Sequence, residues 1–325
     1  MLAFVTGAAG FVASHVVDRL LRDGWTVVGV DNLCTGDERN LRAARANPQF
    51  RFVLADVSEP WEAWTSALDA THRRADLVMH LASPASPVHY ERLALEMLAV
   101  NALGTMHAIG FARTHGAKLL YASTSESYGD PLEHPQRETY WGNVNPIGIR
   151  SCYDESKRFG EAYVTTAVRK TGVDARIVRI FNTYGPRMQA GDGRVIPNFC
   201  VSALHGEPLT VYGDGSQTRS FCYVDDLVDG LVRLATLPGL AGRVVNLGNP
   251  GEYTIRQLAE VTARLAGVAL HTVDRPLPPD DPTRRRPDIT LAQELLGWNP
   301  AVALESGLAK TLNDFRERDV TSSSA

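Results

Sequence analysis

The stretch "VTGAAGFVASH", residues 5–15, decides the fold. It joins an apolar, strand-like run to an amphipathic helical pattern that begins at Phe11. The glycines at Gly7 and Gly10 let the backbone turn sharply and approach a pyrophosphate, and the N-terminus of the following helix offers free N–H groups to an anion. A glycine pattern alone is weak evidence, but this one lies between a strand and a helix. It therefore predicts a dinucleotide-binding turn, with Gly7, Gly10, Phe11 and Val12 at the cofactor.

Strand-like and helix-like segments alternate through the first half of the chain. Apolar, strand-like runs end near Asp31, Asp56, Ala82, Thr124 and Phe181, and helical stretches separate most of them. This alternation predicts an α/β fold with a doubly wound parallel sheet, Rossmann-like, with helices on both faces.

The second half has shorter elements separated by loops rich in glycine and proline. We expect an NAD-binding domain at residues 1–183 and a smaller α/β substrate lobe at 184–318. Part of 216–245 should return to the first domain, and 319–325 should form a flexible tail.

The composition is typical of a soluble globular protein. The 325 residues are 44% hydrophobic and 22% charged, with a formal net charge of -4. No basic face predicts nucleic-acid binding, and no apolar run suggests a membrane span. The four cysteines lack the spacing of a zinc site or a disulfide framework, so no metal is expected. No targeting segment precedes the first strand, and a reducing cytoplasm is the expected location.

The end of the second strand favours NAD over NADP. Asp31 follows the glycines by about twenty residues, where a carboxylate accepts a hydrogen bond from a ribose 2′-hydroxyl and repels a 2′-phosphate. Arg39 lies nearby and weakens this preference. Asp56 either meets an adenine amine or caps the end of its strand. The other residues predicted to bind the cofactor are Asn32, Val57, Leu81 and Ala82.

A tyrosine and a lysine lie four positions apart in "SCYDESKRFGEAY", residues 151–163. On a helix, Tyr153 and Lys157 share one face. Such a pair often occurs by chance on an exposed helix. We expect the helix to begin with Ser151 as its N-cap, to carry Asp154 as the capping-box partner, and to end at Gly172.

Several longer blocks, in this order, carry a family resemblance. "VTGAAGFVASH", "YASTSESYGD", the Tyr153–Lys157 pair and "RIFNTYGPRM" resemble the extended short-chain dehydrogenase/reductase family that modifies nucleotide sugars. Within it, "HLASPASP", the "HPQ" to "CYDESKR" region, "GDGSQTRSF" and "DDPTRRRPDI" resemble the UDP-glucuronate decarboxylases. The match extends from residue 1 to about residue 318. Ala13 and Ser156 stand where glycines are usual, and neither change is expected to prevent catalysis.

The resemblance implies an NAD-dependent decarboxylation of UDP-glucuronate to UDP-xylose. The sugar would be oxidised at C4, lose CO2 as a β-keto acid, and be reduced again by the bound NADH. Tyr153 would act as the base, its pKa lowered by Lys157 and by the positive nicotinamide ring. Both residues would also contact the cofactor, and Thr124 would orient the C4 hydroxyl.

Two further residues distinguish this reaction from related ones. Glu126 lies two positions after Thr124, where simple 4-epimerases of the family usually have no acid. Its alternative role is a structural carboxylate. Arg285 would approach the sugar and help to protonate the carbanion, whereas Arg284 and Arg286 would be exposed.

The resemblance also assigns substrate contacts. Arg150 would neutralise the uronate carboxylate, Glu91 would help to recognise the same region, and Arg219 would hold the diphosphate. Tyr212 would flank the uracil, or else be an ordinary half-buried turn residue. The remaining predicted substrate-binding residues are Ser125, Asn182, Arg187, Arg194, Asn198 and Gln217.

Other functions remain open at this point. One is a UDP-glucuronate 4-epimerase, or another epimerase or dehydratase of the same family. A different class is a redox-sensing scaffold that binds a dinucleotide without catalysis. The resemblance further implies a homodimer in which helices at 91–113 and 151–171 form a four-helix bundle.

Overall fold

The computed structural model describes residues 1–72, 74–276 and 284–322. The strands are β1 (Leu2–Thr6), β2 (Thr26–Asp31), β3 (Phe50–Leu54), β4 (Leu77–His80), β5 (Lys118–Thr124), β6 (Ala175–Ile180), β7 (Thr183–Tyr184), β8 (Leu209–Tyr212), β9 (Thr218–Ser220), β10 (Cys222–Tyr223), β11 (Val244–Leu247), β12 (Glu252–Thr254), β13 (Thr272–Arg275) and β14 (Arg284–Arg285). The α-helices are α1 (Phe11–Arg22), α2 (Arg42–Arg45), α3 (Glu62–Thr65), α4 (Ala94–Ala99), α5 (Thr105–His115), α6 (Ser151–Thr171), α7 (Val195–His205), α8 (Val224–Thr236), α9 (Ile255–Ala266), α10 (Thr290–Leu296) and α11 (Leu304–Ser322).

A seven-stranded parallel sheet forms the centre of the molecule, in the order β11-β6-β5-β4-β1-β2-β3. The chain runs outward from β1 to β3 and then resumes at β4 on the other side of β1. Ligands of such sheets bind in the crevice outside the carboxyl ends of the strands, at this reversal. The doubly wound parallel sheet predicted from the sequence is confirmed.

Both faces of the sheet are buried, because successive residues of β1 point to opposite sides. Ala3 and Val5 join the core that includes α1 and α8, whereas Leu2 and Phe4 join the core that includes α5 and α6. Helices on both faces explain why the strands of this sheet are apolar almost throughout.

The smaller lobe contains short sheets: β10 with β7, β13 with β8, and β9 between β12 and β14. The chain returns to the first domain through α8, which packs on α1, and β11, which is the edge strand beside β6. The return therefore extends to Leu247, slightly beyond the predicted segment. Helix α11 runs to Ser322, so the predicted tail is helical at 319–322. Residues 323–325 lie outside the described part.

The start of α6 differs from the prediction. Ser151 is the first helical residue and Arg150 occupies the N-cap position, without a side-chain cap. Asp154 is buried, with its Oδ2 atom 4.0 Å from Nε of Arg150. The capping-box interpretation was wrong because this carboxyl group faces an arginine instead of the backbone. The helix ends at Gly172, whose φ of 69° is left-handed, as predicted.

The long helix predicted at 91–113 is present, and it is more apolar than the sequence analysis expected. Helix α4, a π-helical turn at Val100–Gly104 and α5 form a continuous helix, Ala94–His115. By length and composition alone it could cross a membrane, with a mean hydropathy of 1.2 in a window of which 33% is buried. Its inner side packs on α6, where Asn101 Nδ2 donates to Ser156 Oγ at 3.0 Å.

Candidate active site

The turn between β1 and α1 has the shape that a dinucleotide requires. Gly7 has a φ of +71°, and a Cβ atom there would lie 2.8 Å from the Cα of Ala82. Gly10 donates its backbone N–H to the Gly7 carbonyl at 2.9 Å. No side chain caps the N-terminus of α1, which begins at Phe11 beside the cleft. Backbone N–H groups at this end suit a diphosphate. Ala13, buried in the core, is accommodated within the helix.

The carboxylate of Asp31 is fixed by two backbone donors. It accepts from the N–H of Ala9 at 2.9 Å and of Leu33 at 2.8 Å, and burial raises its pKa. Arg39 is bound to Asp37, with 2.6 Å between Nη2 and Oδ2, and does not line the cleft. Arg39, which weakened the predicted preference for NAD over NADP, is therefore paired with Asp37.

Asp56 has one of the two roles considered for it, because it caps the end of its strand. Its carboxylate accepts from Asn32 Nδ2 at 2.9 Å and from the backbone of Ser58 at 2.8 Å, which caps the turn after β3. It also lines the cleft. The other predicted cofactor residues that border the cleft are Gly7, Gly10, Phe11, Val12, Asp31, Asn32, Val57, Leu81 and Ala82. This set of glycines, fixed carboxylates and a free helix N-terminus fits NAD.

A single cleft of about 620 Å³ connects this turn with the smaller lobe. It brings together every residue predicted to be catalytic: Thr124, Glu126, Tyr153, Lys157 and Arg285. The predicted substrate residues that line it are Ser125, Arg150, Asn182, Arg187, Arg194, Asn198, Tyr212, Gln217 and Arg219.

Tyr153 and Lys157 are buried on the inner face of α6. Lys157 donates from Nζ to the Ala122 carbonyl at 2.8 Å and lies 5.9 Å from the centre of the Tyr153 ring. Burial lowers the pKa of Lys157 to about 7. Burial also raises the pKa of Tyr153 to about 12, although a hydrogen bond with Thr124 and the charge of Arg194 oppose the rise. The prediction that Lys157 lowers the pKa of Tyr153 is therefore wrong for the protein alone, because burial outweighs the neighbouring cations; a bound nicotinamide ring would have to supply the lowering.

Glu126 lies between two arginines at the end of β5. Its Oε1 atom is 3.0 Å from Nη1 of Arg285, and its Oε2 accepts from Nη2 of Arg150. Burial opposes ionisation, but the charges of Arg285 and Arg150 prevail and lower the pKa of Glu126 to about 2. Glu126 is therefore a carboxylate, suited to act as a base or to orient the two guanidinium groups.

Asp154 is the second carboxyl group beside Arg150. Burial, together with the nearby charge of Glu126, raises its pKa to about 7. Its Oδ1 atom has no hydrogen-bond partner among the described residues. The two acids beside Arg150 therefore have very different pKa values. Glu126 carries the greater share of the negative charge.

One predicted substrate contact needs correction. Glu91 is exposed and is absent from the lining of the cleft, because it lies on the outer side of the turn before α4. Arg187 borders the cleft as predicted, and its Nη2 also lies 2.6 Å from Oδ2 of Asp18 on α1. This ion pair ties the smaller lobe to the first domain, while the buried Nη1 atom of Arg187 has no hydrogen-bond partner among the described residues.

The residues predicted to contact the nucleotide lie on the smaller lobe. Tyr212 is 43% exposed, and the amide of Gln217 donates to its backbone carbonyl at 2.6 Å. Arg219 pairs in register with Arg285 across β9 and β14, so the two arginines emerge side by side. Asn198 has a buried Oδ1 atom without a partner among the described residues. Arg284 is exposed as predicted, whereas Arg286 is half-buried.

Sequence reasoning missed several residues of the cleft. The ring of Tyr90 stacks on that of Tyr153 at 5.8 Å, and the guanidinium of Arg150 lies 5.5 Å from the Tyr90 ring centre. His89 and Glu96 also line the cleft. The signal for Tyr90 and His89 was the segment "SPVHY", residues 86–90, in the loop that follows β4, since residues at this edge of a parallel sheet meet the ligand crevice.

Comparison with known proteins defines the class. The model of the NAD dependent epimerase/dehydratase family matches residues 3–248, and the chain belongs to this family. The chain is 51% identical over 314 residues to UDP-glucuronic acid decarboxylase 2 of Arabidopsis thaliana, an alignment that covers 97% of this chain and 68% of that protein.

Solved structures with the same fold are more distant in sequence. The UDP-glucose 4-epimerase of Thermotoga maritima, with UDP-glucose, is 30% identical, with a TM-score of 0.88 and coverage of 98% of this chain and 99% of that chain. The UDP-glucuronic acid 4-epimerase of Bacillus cereus, in complex with UDP-glucuronic acid and NAD, is 25% identical, with a TM-score of 0.86 and coverage of 98% and 100%. The decarboxylase thus shares far more of its sequence with this chain than either epimerase does.

Proposed function

We propose that this protein decarboxylates UDP-glucuronate to UDP-xylose with NAD that stays bound between turnovers. The observation that carries the proposal is the contact of Arg285 and Glu126 at 3.0 Å beside Thr124 and Tyr153. The 51% identity to a UDP-glucuronic acid decarboxylase supports it.

The side chains of the cleft can divide the reaction among them. Thr124 orients the C4 hydroxyl, and Tyr153 takes its proton. When bound, NAD supplies the acceptor for the C4 hydrogen and returns it at the end. With a ketone at C4, the C5 carboxylate belongs to a β-keto acid and leaves as CO2. Tyr153 and Thr124 then face the enolate oxygen, which their hydroxyl groups stabilise.

Glu126 and Arg285 would act at the sugar carbon that loses CO2. The low pKa of Glu126 makes it a poor proton donor in the substrate-free protein, so its carboxylate holds Arg285 and Arg150 in place. A guanidinium group beside C5 stabilises the negative charge that develops there, and Arg285 would assist the transfer of a proton from water to C5, which replaces the bond to CO2. Arg150, on the opposite side of Glu126, supplies the positive charge for the uronate carboxylate.

A 4-epimerase would use the same oxidation but would need room for the ketone to turn. The Arg285–Glu126 pair favours decarboxylation, because both charged groups lie beside the position of the carboxylate that must leave. Arg219 and Tyr212 would hold the diphosphate and the uracil at the other end of the cleft. The cleft also contains all five residues predicted to be catalytic, which favours an enzyme over a redox-sensing scaffold.

The choice of NAD over NADP rests on Asp31 and on the pairing of Arg39 with Asp37. A strap at 186–194 supports retention of the cofactor: its Asp192 carbonyl accepts from Ser86, and Arg194 donates to the Ala85 carbonyl. These bonds join the smaller lobe to the segment after β4, across the mouth of the cleft.

A homodimer is proposed on the basis of exposed apolar side chains. On the continuous helix Ala94–His115, Leu95 is 77% exposed and Leu103 is 47% exposed, and Phe159 on α6 is 44% exposed. Apolar side chains of this size on adjacent helices fit a second copy of the chain. The four free cysteines support a reducing location, the cytoplasm.

The test is to incubate the protein with UDP-glucuronate and to measure both the release of CO2 and the formation of UDP-galacturonate. Decarboxylation yields CO2 and UDP-xylose in equal amounts. UDP-galacturonate without CO2 would show that the protein is a 4-epimerase.

A further inference from the structure

Gln136 is a buried polar residue with no role in the site described above. It is 0% exposed and lies in the loop between the turn that carries Glu126 and helix α6. A buried amide needs hydrogen bonds on both of its ends, so its partners show what it holds.

The amide of Gln136 holds the backbone of Arg286. The side-chain Oε1 of Gln136 accepts from the Arg286 N–H at 2.8 Å, and the backbone N–H of Gln136 donates to the Arg286 carbonyl at 2.9 Å. At the other end, Nε2 donates to the Glu133 carbonyl at 2.7 Å, which fixes the orientation of the amide. Both polar groups of the Arg286 backbone are therefore occupied by one residue.

These hydrogen bonds to Arg286 lie directly after Arg285 in the chain. The two-residue strand β14 is attached to β9 on one edge, and Ser220 Oγ donates to the Arg285 carbonyl at 3.1 Å. From this backbone the buried side chain of Arg285 reaches Glu126 and also donates to the Gly129 carbonyl at 3.1 Å. A shift of the strand at Arg286 would move the guanidinium group away from both acceptors.

A second buried amide, that of Asn246, connects Gln136 to the turn that carries Glu126. Asn246 donates from Nδ2 to the Gln136 carbonyl at 3.0 Å, and its Oδ1 accepts from Tyr128 Oη at 2.8 Å. Tyr128 is the last residue of the short helix Ser125–Tyr128, which contains Glu126. The chain of bonds therefore links the backbone of Arg286 to that of Glu126.

We infer that Gln136 is a positioning residue, which sets the distance between Arg285 and Glu126 in the reacting complex. The inference rests on the proposed function, since it assigns Arg285 to the step that follows oxidation at C4. Displacing a catalytic group by about 1 Å can cost on the order of a hundredfold in rate.

The experiment compares Gln136→Met, which keeps the volume but removes the amide, with Arg285→Lys and with the control Gln293→Met on the surface helix α10. CO2 release, NADH formed on the protein after mixing with UDP-glucuronate, and the affinities for UDP and UDP-glucuronate are measured. In Gln136→Met and Arg285→Lys, CO2 release should fall on the order of tenfold or more, while C4 oxidation continues, so NADH accumulates. Affinity for UDP should stay within about twofold of wild type.

The inference is wrong if CO2 release by Gln136→Met stays near the wild-type rate, or if UDP affinity and NADH formation fall with it. If Gln136→Met does not fold, Gln136→Asn, which shortens the side chain, is judged by the same criteria. Should the wild type release no CO2, the proposed function fails. Gln136 is then judged by its affinity for UDP-glucuronate relative to UDP, which must fall as it does in Arg285→Lys.

Discussion

Arg285 of the smaller lobe and Glu126 of the parallel sheet meet in the cleft, with 3.0 Å between Nη1 and Oε1. They are far apart in sequence, and each comes from a different part of the fold. Arg285 is 2% exposed, so its charge acts in surroundings of low dielectric constant. The pair makes decarboxylation, which needs stabilisation of charge at C5, the chemistry that this site favours.

Replacing Arg285 by leucine should reduce CO2 release on the order of a hundredfold or more, because a buried cation beside the developing charge is lost. Glu126 would keep Arg150 as its partner. Rates of CO2 release from UDP-glucuronate measure the effect. Arg284→Leu, at the exposed neighbouring position, is the control and should keep the wild-type rate. Equal losses in both variants would contradict the role of Arg285.

Replacing Tyr153 by phenylalanine should abolish oxidation at C4, with a loss on the order of 10² to 10⁴ in rate, because the hydroxyl group that bonds Thr124 is lost and the nearby carboxylate of Glu126 is held by Arg150 and Arg285. Binding of UDP-glucuronate, measured by calorimetry, should change little, since the ring remains. Tyr163→Phe, further along the same helix, is the matched control. If Tyr153→Phe keeps its turnover, the assignment of the base is wrong.

Replacing Asp154 by asparagine should stabilise the protein above neutral pH. The pKa of Asp154 is raised from 3.8 to about 7 in the folded protein. Between these two pH values the folded state keeps the proton of Asp154, whereas the unfolded state has released it. The stability of the wild type therefore falls as pH rises through this window, whereas the stability of the asparagine variant does not change for this reason. At about pH 8 the variant should be more stable by roughly 1–3 kcal/mol, and near pH 4 the two should be equal.

Thermal or urea unfolding at a series of pH values measures this difference. Glu155→Gln, at the partly exposed neighbouring position on α6, keeps Asp154 and should therefore lose stability with rising pH as the wild type does. A wild type that equals or exceeds Asp154→Asn in stability at about pH 8 would show that Asp154 is ionised at little cost.

Replacing Leu95 by glutamate should convert the proposed homodimer to a monomer, because a charge would enter the apolar surface between subunits. Sedimentation or light scattering measures the mass. Leu270→Glu, at an exposed apolar position of the smaller lobe, should leave the dimer intact. A wild-type protein that is already monomeric would refute the proposed interface.

The sequence was sufficient where chemistry follows from local pattern. Gly7 precedes a helix, Asp31 ends a strand, and Tyr153 and Lys157 share a helix face, so neighbouring residues alone determine their placement. The family resemblance added Glu126 and Arg285, and the structure brings them together as it implied.

Sequence reasoning failed where the partner is distant along the chain. Arg187 lines the cleft, but the motif did not indicate that folding would bring Asp18 within 2.6 Å of it. Ser151 had the pattern of an N-cap, but Asp154 faces Arg150 instead of closing a capping box. Gln136 was part of a quoted motif, and only the fold shows that it holds the backbone of Arg286. Contacts of this kind have no local signal.

The most direct measurement uses the purified protein, UDP-glucuronate labelled at its carboxyl carbon, and no added NAD. We predict that the label leaves as CO2 over many turnovers and that UDP-xylose forms in equal amount, since bound NAD is regenerated. Label that stays in the nucleotide sugar, or turnover that starts only after NAD is added, would contradict a decarboxylase with a retained cofactor.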